Sequence, residues 1–319
     1  MKDKLLIKNT VFWIAVMFCI IGTFQSSGEF TSNNLGDTLY VGCGGFECYS
    51  DIQSAIDDAK SGDTIFVYDD SSPYYENLII NKSINLIGEN RETTIIDGDE
   101  KGDVIQISAN GVYISRFTIQ DGGKGRSGIT LTKYSDHNII SNNTVTSNRW
   151  NGVSLSYSSY NTICDNIISS NSDGISICHY CNNNNVLRNT ILENDYYGIF
   201  IQSLNNDNIF HSNNLIKNGQ NSHDSGNDIW DDEWNGNYWD DYEERYPSAR
   251  KIWLKGIWSI PYDIPGGSNQ DRYPVFNPYA ESKESELKLP SFFLSRIFVQ
   301  FMMLKQTFLQ DGRFLKTFK

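Results

Sequence analysis

Cys178, His179, Tyr180 and Cys181 form a compact run that offers both thiolate and imidazole donors, the soft ligand set that a metal such as copper prefers. Neighbouring side chains in a strand face opposite ways, so only a bend would converge Cys178, His179 and Cys181 on one ion. In an oxidising compartment the same two thiols favour a disulfide, closed across a tight turn. Cys164 is a rival partner for either of them. Cys43 and Cys48 enclose a glycine-rich loop that can bend enough to close a disulfide of its own. His137, His211 and His223 share no clear phase and read as surface residues.

A second concentration lies in residues 228–246, where Trp230, Trp234, Tyr238 and Trp239 are interleaved with Asp231, Asp232, Asp240, Asp241 and other acids. Exposed rings beside carboxylates can stack on sugar rings and bond their hydroxyls, so Trp230, Trp234, Tyr238, Trp239, Asp240 and Asp241 are candidate ligand-binding residues. The competing use is structural: the rings pack over the end of a β fold while the acids face solvent. Sugar cleavage needs carboxylates brought together on one face. Asp165, Asp173, Glu193, Asp195 and Asp207 fall at different phases of the surrounding pattern, with Asp173 and Asp195 nearest to agreement, and are read as turn residues.

What would position these groups is a repeat of about 23 residues across 138–218, one coil of a solenoid per copy. Asn138, Asn161, Asn184 and Asn208 open the copies, followed by Ile140, Ile163, Val186 and Phe210, then by Asn143, Asn166, Asn189 and Asn213. Val145, Ile168, Ile191 and Leu215 form the next apolar set, ahead of Asn148, Asn171, Asn194 and Asn218. Gly152, Gly174 and Gly198 follow as expected turn glycines. Short strands separated by turns then wind round an axis, so that equivalent residues stack about 4.8 Å apart with the aliphatic groups inward. Asparagine at the repeated corners can form hydrogen-bonded ladders between coils and tolerates left-handed turn conformations. One coil cannot bury its own apolar face, so both ends of the stack need covers.

Strand-like runs at 63–67, 78–80, 84–87, 94–96, 104–107, 112–114 and 117–119 extend the coils upstream. Before them, Ile52, Ala55, Ile56 and Ala59 share one face of a helix that Ser50 would cap and Gly62 would end, an N-terminal lid. Gly122 to Ser127 is an insertion that lengthens one coil. Residues 1–28 read as a signal peptide, from a cationic start and an apolar run at 11–24, with an uncleaved anchor as the alternative. The coils with their cap occupy 39–227, the aromatic and acidic cap region 228–280, and a linker with an amphipathic tail 281–319. That tail suits a helix lying on a membrane surface or packed on the solenoid. The net charge of -13 at pH 7 argues against a nucleic-acid partner.

The fold expected is therefore all-β, a right-handed parallel β-helix with an N-terminal capping helix and a C-terminal amphipathic helix. The segments Ile52-Gln53-Ser54-Ala55-Ile56-Asp57, Gly62-Asp63-Thr64-Ile65 and Thr94-Ile95-Ile96-Asp97-Gly98 resemble the opening of NosD-like β-helix proteins. Gly236-Asn237-Tyr238-Trp239-Asp240-Asp241-Tyr242 and Asp271-Arg272-Tyr273-Pro274 are similar to motifs that follow the repeats in many archaeal members. The resemblance implies an exported protein and copper, carbohydrate or sugar-hydrolase associations. It departs at 249–255, where many relatives carry an Asp- and Gly-rich loop able to hold calcium, and Ala249-Arg250-Lys251-Ile252-Trp253-Leu254-Lys255 offers no oxygen cage. The expectation is a secreted or cell-surface, non-catalytic module that binds glycans or envelope components. The alternatives are an extracellular polysaccharide lyase or hydrolase and a copper-handling accessory protein.

Overall fold

The computed structural model describes residues 36–45, 48–132 and 134–280. The signal segment and the amphipathic tail at 281–319 lie outside them. The chain winds into a right-handed parallel β-helix of three sheets. The first has nine strands, from Thr38–Val41 to Asn227–Ile229; the second has eight, from Tyr74–Tyr75 to Tyr238–Trp239; the third has seven, from Leu78–Ile80 to Gln220–Asp224. Every pairing within these three sheets is parallel, and successive partners lie one coil apart.

The repeat phase read from the sequence is the structural register. Ile140 pairs with Ile163, Ile163 with Val186 and Val186 with Phe210. Val145, Ile168, Ile191 and Leu215 stack in the second sheet, and Val153, Ile175 and Ile199 in the third. All these side chains are inside a dry interior, each contributing on the order of 1.5–3 kcal/mol by burial. Each of the seven upstream runs coincides with a strand to within one residue. The short pair Tyr74–Tyr75 and the strand Ile129–Leu131 carry too little pattern to stand out alone.

The corners are built differently from expectation. Left-handed backbone falls on the residue before the ladder asparagines of the repeats: Asn142, Asp165, Arg188 and Ser212 precede Asn143, Asn166, Asn189 and Asn213. The asparagine itself points inward. Asn166 Oδ1 accepts the backbone N–H of Asn143 at 2.9 Å, and Asn166 Nδ2 donates to Ile140 O at 2.9 Å and to Asn189 Oδ1 at 3.0 Å. A side chain in the left-handed region costs about 1–2 kcal/mol, and the hydrogen bonds that satisfy the buried corner offset it.

Gly152, Gly174 and Gly198 are not turn residues. They lie within or at the start of the long strands of the third sheet, with ordinary negative φ. A Cβ on Gly174 would sit 2.5 Å from Gly198 O and 2.7 Å from a methyl of Ile191. Glycine is needed there for close approach between coils.

The N-terminal lid is the helix Ile52–Asp58, with Ile52, Ala55 and Ile56 buried against the first coil. Its cap is Asp51, one residue after Ser50: the Asp51 carboxylate accepts the Ser54 N–H at 2.8 Å. Glu76 from the first coil accepts the N–H groups of Ile52 and Gln53 at 2.8 and 2.9 Å, which fixes the helix on the stack. The Gly122–Ser127 insertion packs on the loop one coil earlier, where Gly123 N–H donates to Gly102 O and Ser127 N–H to Asp103.

Candidate functional site

The aromatic and acidic segment divides sharply. Trp230 and Trp239 are each 1% exposed; Trp230 stacks on Phe210 at 4.5 Å and Trp239 on Tyr262 at 3.9 Å. Neither has a ring face open to a ligand, which removes both from a sugar platform and assigns them to the C-terminal cap. Trp234 is 80% exposed and Tyr238 half-buried. Asp240 is engaged by Lys217 N–H at 2.7 Å and Asn221 Nδ2 at 2.8 Å. Asp241 accepts the Tyr262 hydroxyl at 2.9 Å.

The same cap terminates two of the ladders in carboxylates. Asn208 donates its backbone N–H and Nδ2 to Asp228 Oδ1 at 2.9 and 2.8 Å. Asn237 donates its N–H to Asp271 Oδ2 at 2.7 Å, joined by the Trp239 indole N–H at 2.9 Å. Burial pushes Asp271 up to about 7, against the hydrogen bonds from Asn237 and Trp239 that favour its charged form. Burial first, and the neighbouring Asp224 second, push Asp228 up to about 7. Asp231, 1% exposed, is held by Arg272 Nε at 2.9 Å and Nη2 at 2.6 Å. The late motif Asp271-Arg272-Tyr273-Pro274 is thus cap architecture, a role visible only once the ladder has been followed to its end.

The soft-ligand run does not converge. Cys181 is fully buried and occupies an asparagine position in a fourth corner ladder, where its Sγ meets the Ser158 N–H at 3.3 Å and its own N–H donates to Asn205 Oδ1 at 2.7 Å. Its thiol lies 3.1 Å from Cys178 O, and Cys178 and Cys181 are both reduced. The expected disulfide between them is therefore replaced by a thiol in a ladder. His179 points outward and stacks on Tyr157 at 5.4 Å. Burial raises the Cys178 thiol and pushes that of Cys181 up to about 11. Cys43 and Cys48 do form a disulfide, and Cys164 is a reduced thiol.

The remaining histidines and acids are separated as well. His137 stacks on Tyr160 at 5.1 Å; His211 lies 3.5 Å from Asp232 and is lowered by burial; His223 stacks on Phe200 at 5.5 Å. Asp165 forms a bidentate pair with Arg188 at 2.9 and 2.7 Å. Glu193 faces Lys217 at 3.6 Å. Asp173 aligns with Tyr197, whose N–H it accepts at 3.1 Å, so Asp195 is not its neighbour in phase.

A groove of about 330 Å³ opens on the outer face of the third sheet. Two adjacent strands here are six residues long, Asn151–Ser156 and Asp173–Cys178, so more outward positions lie side by side there. Trp150, half-exposed, borders it, with Ser154, Ser176 and Phe200 in a single cross-coil row and Asp173 beside them. Tyr197 and His223 pack round Phe200 at 5.2 and 5.5 Å. Burial raises the pKa of Asp173, and the Tyr197 N–H opposes that rise. Asn151, also on the rim, has a buried Oδ1 with no hydrogen-bond partner. The alternation within 151–156 and 173–178 signals the outward row, but nothing in sequence shows that Trp150 and Phe200, fifty positions apart, border one groove. A second groove of about 380 Å³ at the corner near the cap is bordered by Arg91, Asp165, Arg188, Asn214 and Tyr279.

Compared with solved structures, the chain is similar to a pectate lyase, Pel9A, with 17% identity over 64% of each chain and a TM-score of 0.47. It is similar to the periplasmic alginate epimerase AlgG, with 19% identity, a TM-score of 0.38, and coverage of 62% of this chain and 45% of the epimerase. A third is the pectin methylesterase PemA from Erwinia chrysanthemi, 13% identical at a TM-score of 0.37, covering 60% of this chain and 81% of PemA. The chain spans less than two thirds of the lyase and under half of the epimerase, and none of these likenesses bears on activity. No curated protein sequence matches it.

The family model described as periplasmic copper-binding protein (NosD) matches residues 56–244. Copper needs converging soft donors, and among the described residues no three His, Cys, Asp or Glu side chains come together to hold a metal. With Cys181 committed to the interior and His179 to the outer face, the expected triad does not fit the ion, and no step is derived through it. The match covers more than half of the sequence and agrees with the parallel coils, so the chain belongs to the NosD family of β-helix proteins.

Proposed function

We propose that this protein is an exported or cell-surface module that binds an uncharged oligosaccharide along the outer face of the third sheet and does not cleave it. The observation that carries the reading is the groove in which Trp150 and Phe200 flank Asp173, Ser154 and Ser176. Flat rings bury the apolar faces of a sugar, and short polar side chains between them take its hydroxyls. Asp173 spends one oxygen on Tyr197 N–H, which leaves the other for a ligand hydroxyl. The rim carries a carboxylate and no lysine or arginine, so a uronate chain would meet repulsion without a cation to offset it.

Cleavage by acid and base carboxylates requires a pair about 5–10 Å apart. This groove supplies Asp173 alone, which favours binding over hydrolysis. A glycan array with neutral and uronate oligosaccharides, followed by a reducing-end and unsaturated-product assay on every hit, tests the reading. Retention of neutral glycans without new products supports it. Product formation would transfer the protein to the hydrolase or lyase reading, and retention of uronates alone would reject the assignment of ligand class.

A further inference from the structure

The hairpin at Lys251–Ile252 and Ile257–Trp258 has a rigid base and an apolar tip. At the base, Trp258 is 8% exposed and stacks on Tyr242 at 4.8 Å, its N–H donates to Pro274 O at 2.8 Å, and Ser259 N–H donates to Arg250 O at 2.9 Å. The tip turns tightly, with Lys255 and Gly256 N–H groups both donating to Ile252 O at 3.0 Å and Gly256 in the left-handed region. Three successive apolar residues are thereby held outward: Ile252 is 40%, Trp253 74% and Leu254 103% exposed. Natural surfaces seldom present such a run without a partner.

The charges round the tip indicate what that partner is. The hairpin from Arg250 to Ser259 has Arg250, Lys251 and Lys255 and no acid, in a protein whose net charge is -13, while Arg245 is paired with Asp241 at 3.7 Å. Lys251 reaches Glu243 at 3.5 Å and lies 4.9 Å from the Trp258 ring, while Arg250 and Lys255 are exposed. A Trp and a Leu at the apex of a rigid turn, with Arg250 and Lys255 exposed in the same hairpin, match a bilayer interface. The indole and the aliphatic group enter the headgroup boundary there, and the cations meet anionic lipid. Among the described residues no helix is long and apolar enough to cross a membrane.

We propose that the Ile252-Trp253-Leu254 tip docks the solenoid on an anionic lipid surface through its C-terminal cap. The proposal is independent of the glycan groove, which lies on the third sheet. Flotation of the full chain with phosphatidylcholine vesicles and with vesicles carrying a quarter phosphatidylglycerol tests it. The full chain is expected to bind the anionic vesicles more tightly. Trp253→Ala with Leu254→Ala should weaken binding at least about tenfold while the protein stays folded, because Leu254 is fully exposed and Trp253, 74% exposed, meets Phe276 edge-to-face at 5.1 Å. Arg250→Glu with Lys255→Glu should weaken it at low salt, by about fivefold for each cation removed. Quenching of tryptophan fluorescence by brominated lipid should diminish in Trp253→Phe. Equal vesicle binding by the Trp253/Leu254 double variant would overturn the proposal and place the contact elsewhere, as on residues 281–319. So would failure of the full chain to bind either vesicle, or a shift from dimer to monomer in the double variant with vesicle binding unchanged.

Discussion

The carboxylate of Asp271 completes the hydrogen-bond ladder that starts at Asn143: its Oδ2 takes the backbone N–H of Asn237 at 2.7 Å, four coils on from the first rung. An acid therefore closes a column of amides. The last rung leaves a donor to satisfy, the Asn237 N–H, and the Asp271 carboxylate accepts it with Oδ2 while Oδ1 receives the Tyr273 N–H at 2.9 Å.

Stability should depend on pH through this cap. Asp271 and Asp228 are both raised to about 7 in the folded protein, above the value near 3.9 that an unfolded aspartate has. Between about pH 4 and pH 7 the folded state retains protons that the unfolded chain has released. Stability accordingly falls as pH rises through that window and levels off above it. Urea midpoints should be higher at pH 5 than at pH 8, with a smaller difference in Asp271→Asn. A midpoint that climbs steadily with pH over this range would refute the assignment.

Interior rungs should be costly to remove. Asn166→Ala deletes the acceptor of Asn143 N–H and the donors to Ile140 O and Asn189 Oδ1, and should destabilise by about 2–3 kcal/mol. Asn227→Ala, at an exposed strand position, should cost under about 0.5 kcal/mol. Equal urea midpoints for the two variants would show that the ladder adds nothing.

Close approach at the glycine column can be tested separately. A methyl at Gly174 would lie within 2.7 Å of atoms on two neighbouring coil positions, so Gly174→Ala should cost about 1–3 kcal/mol through overpacking. The nearest atom to a methyl at Gly45 is 3.9 Å away, and Gly45→Ala should leave the thermal midpoint almost unchanged.

Thiol mapping distinguishes a ladder cysteine from a ligand. Burial drives the Cys181 thiol up to about 11, and Cys178, though also raised, is half-exposed. Alkylation of the native protein at pH 8 should label Cys178 well before Cys181, and peptide mapping should find Cys43 linked to Cys48. A Cys178 to Cys181 crosslink in the native protein would contradict the register at that corner.

The repeat made most of the core readable in advance, because a residue pointing inward in one coil must point inward in the next. Ile140, Ile163, Val186 and Phe210 were legible for that reason. Corner geometry was less so: the left-handed position belongs to Asp165 and Arg188 as readily as to an asparagine, since the following ladder bonds determine it. Asp271 could not be paired with Asn237 from spacing, as a non-repeating excursion of 34 residues separates them. Trp230 and Trp239 look like ligand platforms until the end of the stack is seen to require a cover. The groove at Trp150 depends on two six-residue strands lying side by side, and that emerges only when coils are aligned in space.

The most direct test is calorimetric titration of the intact protein and of Trp150→Ala and Phe200→Ala with a neutral oligosaccharide that the array retains. Each substitution should weaken binding at least about tenfold, with unchanged folding stability for Trp150→Ala because that ring is half-exposed. Undiminished affinity in both variants would contradict the assignment of the outer face of the third sheet as the binding surface.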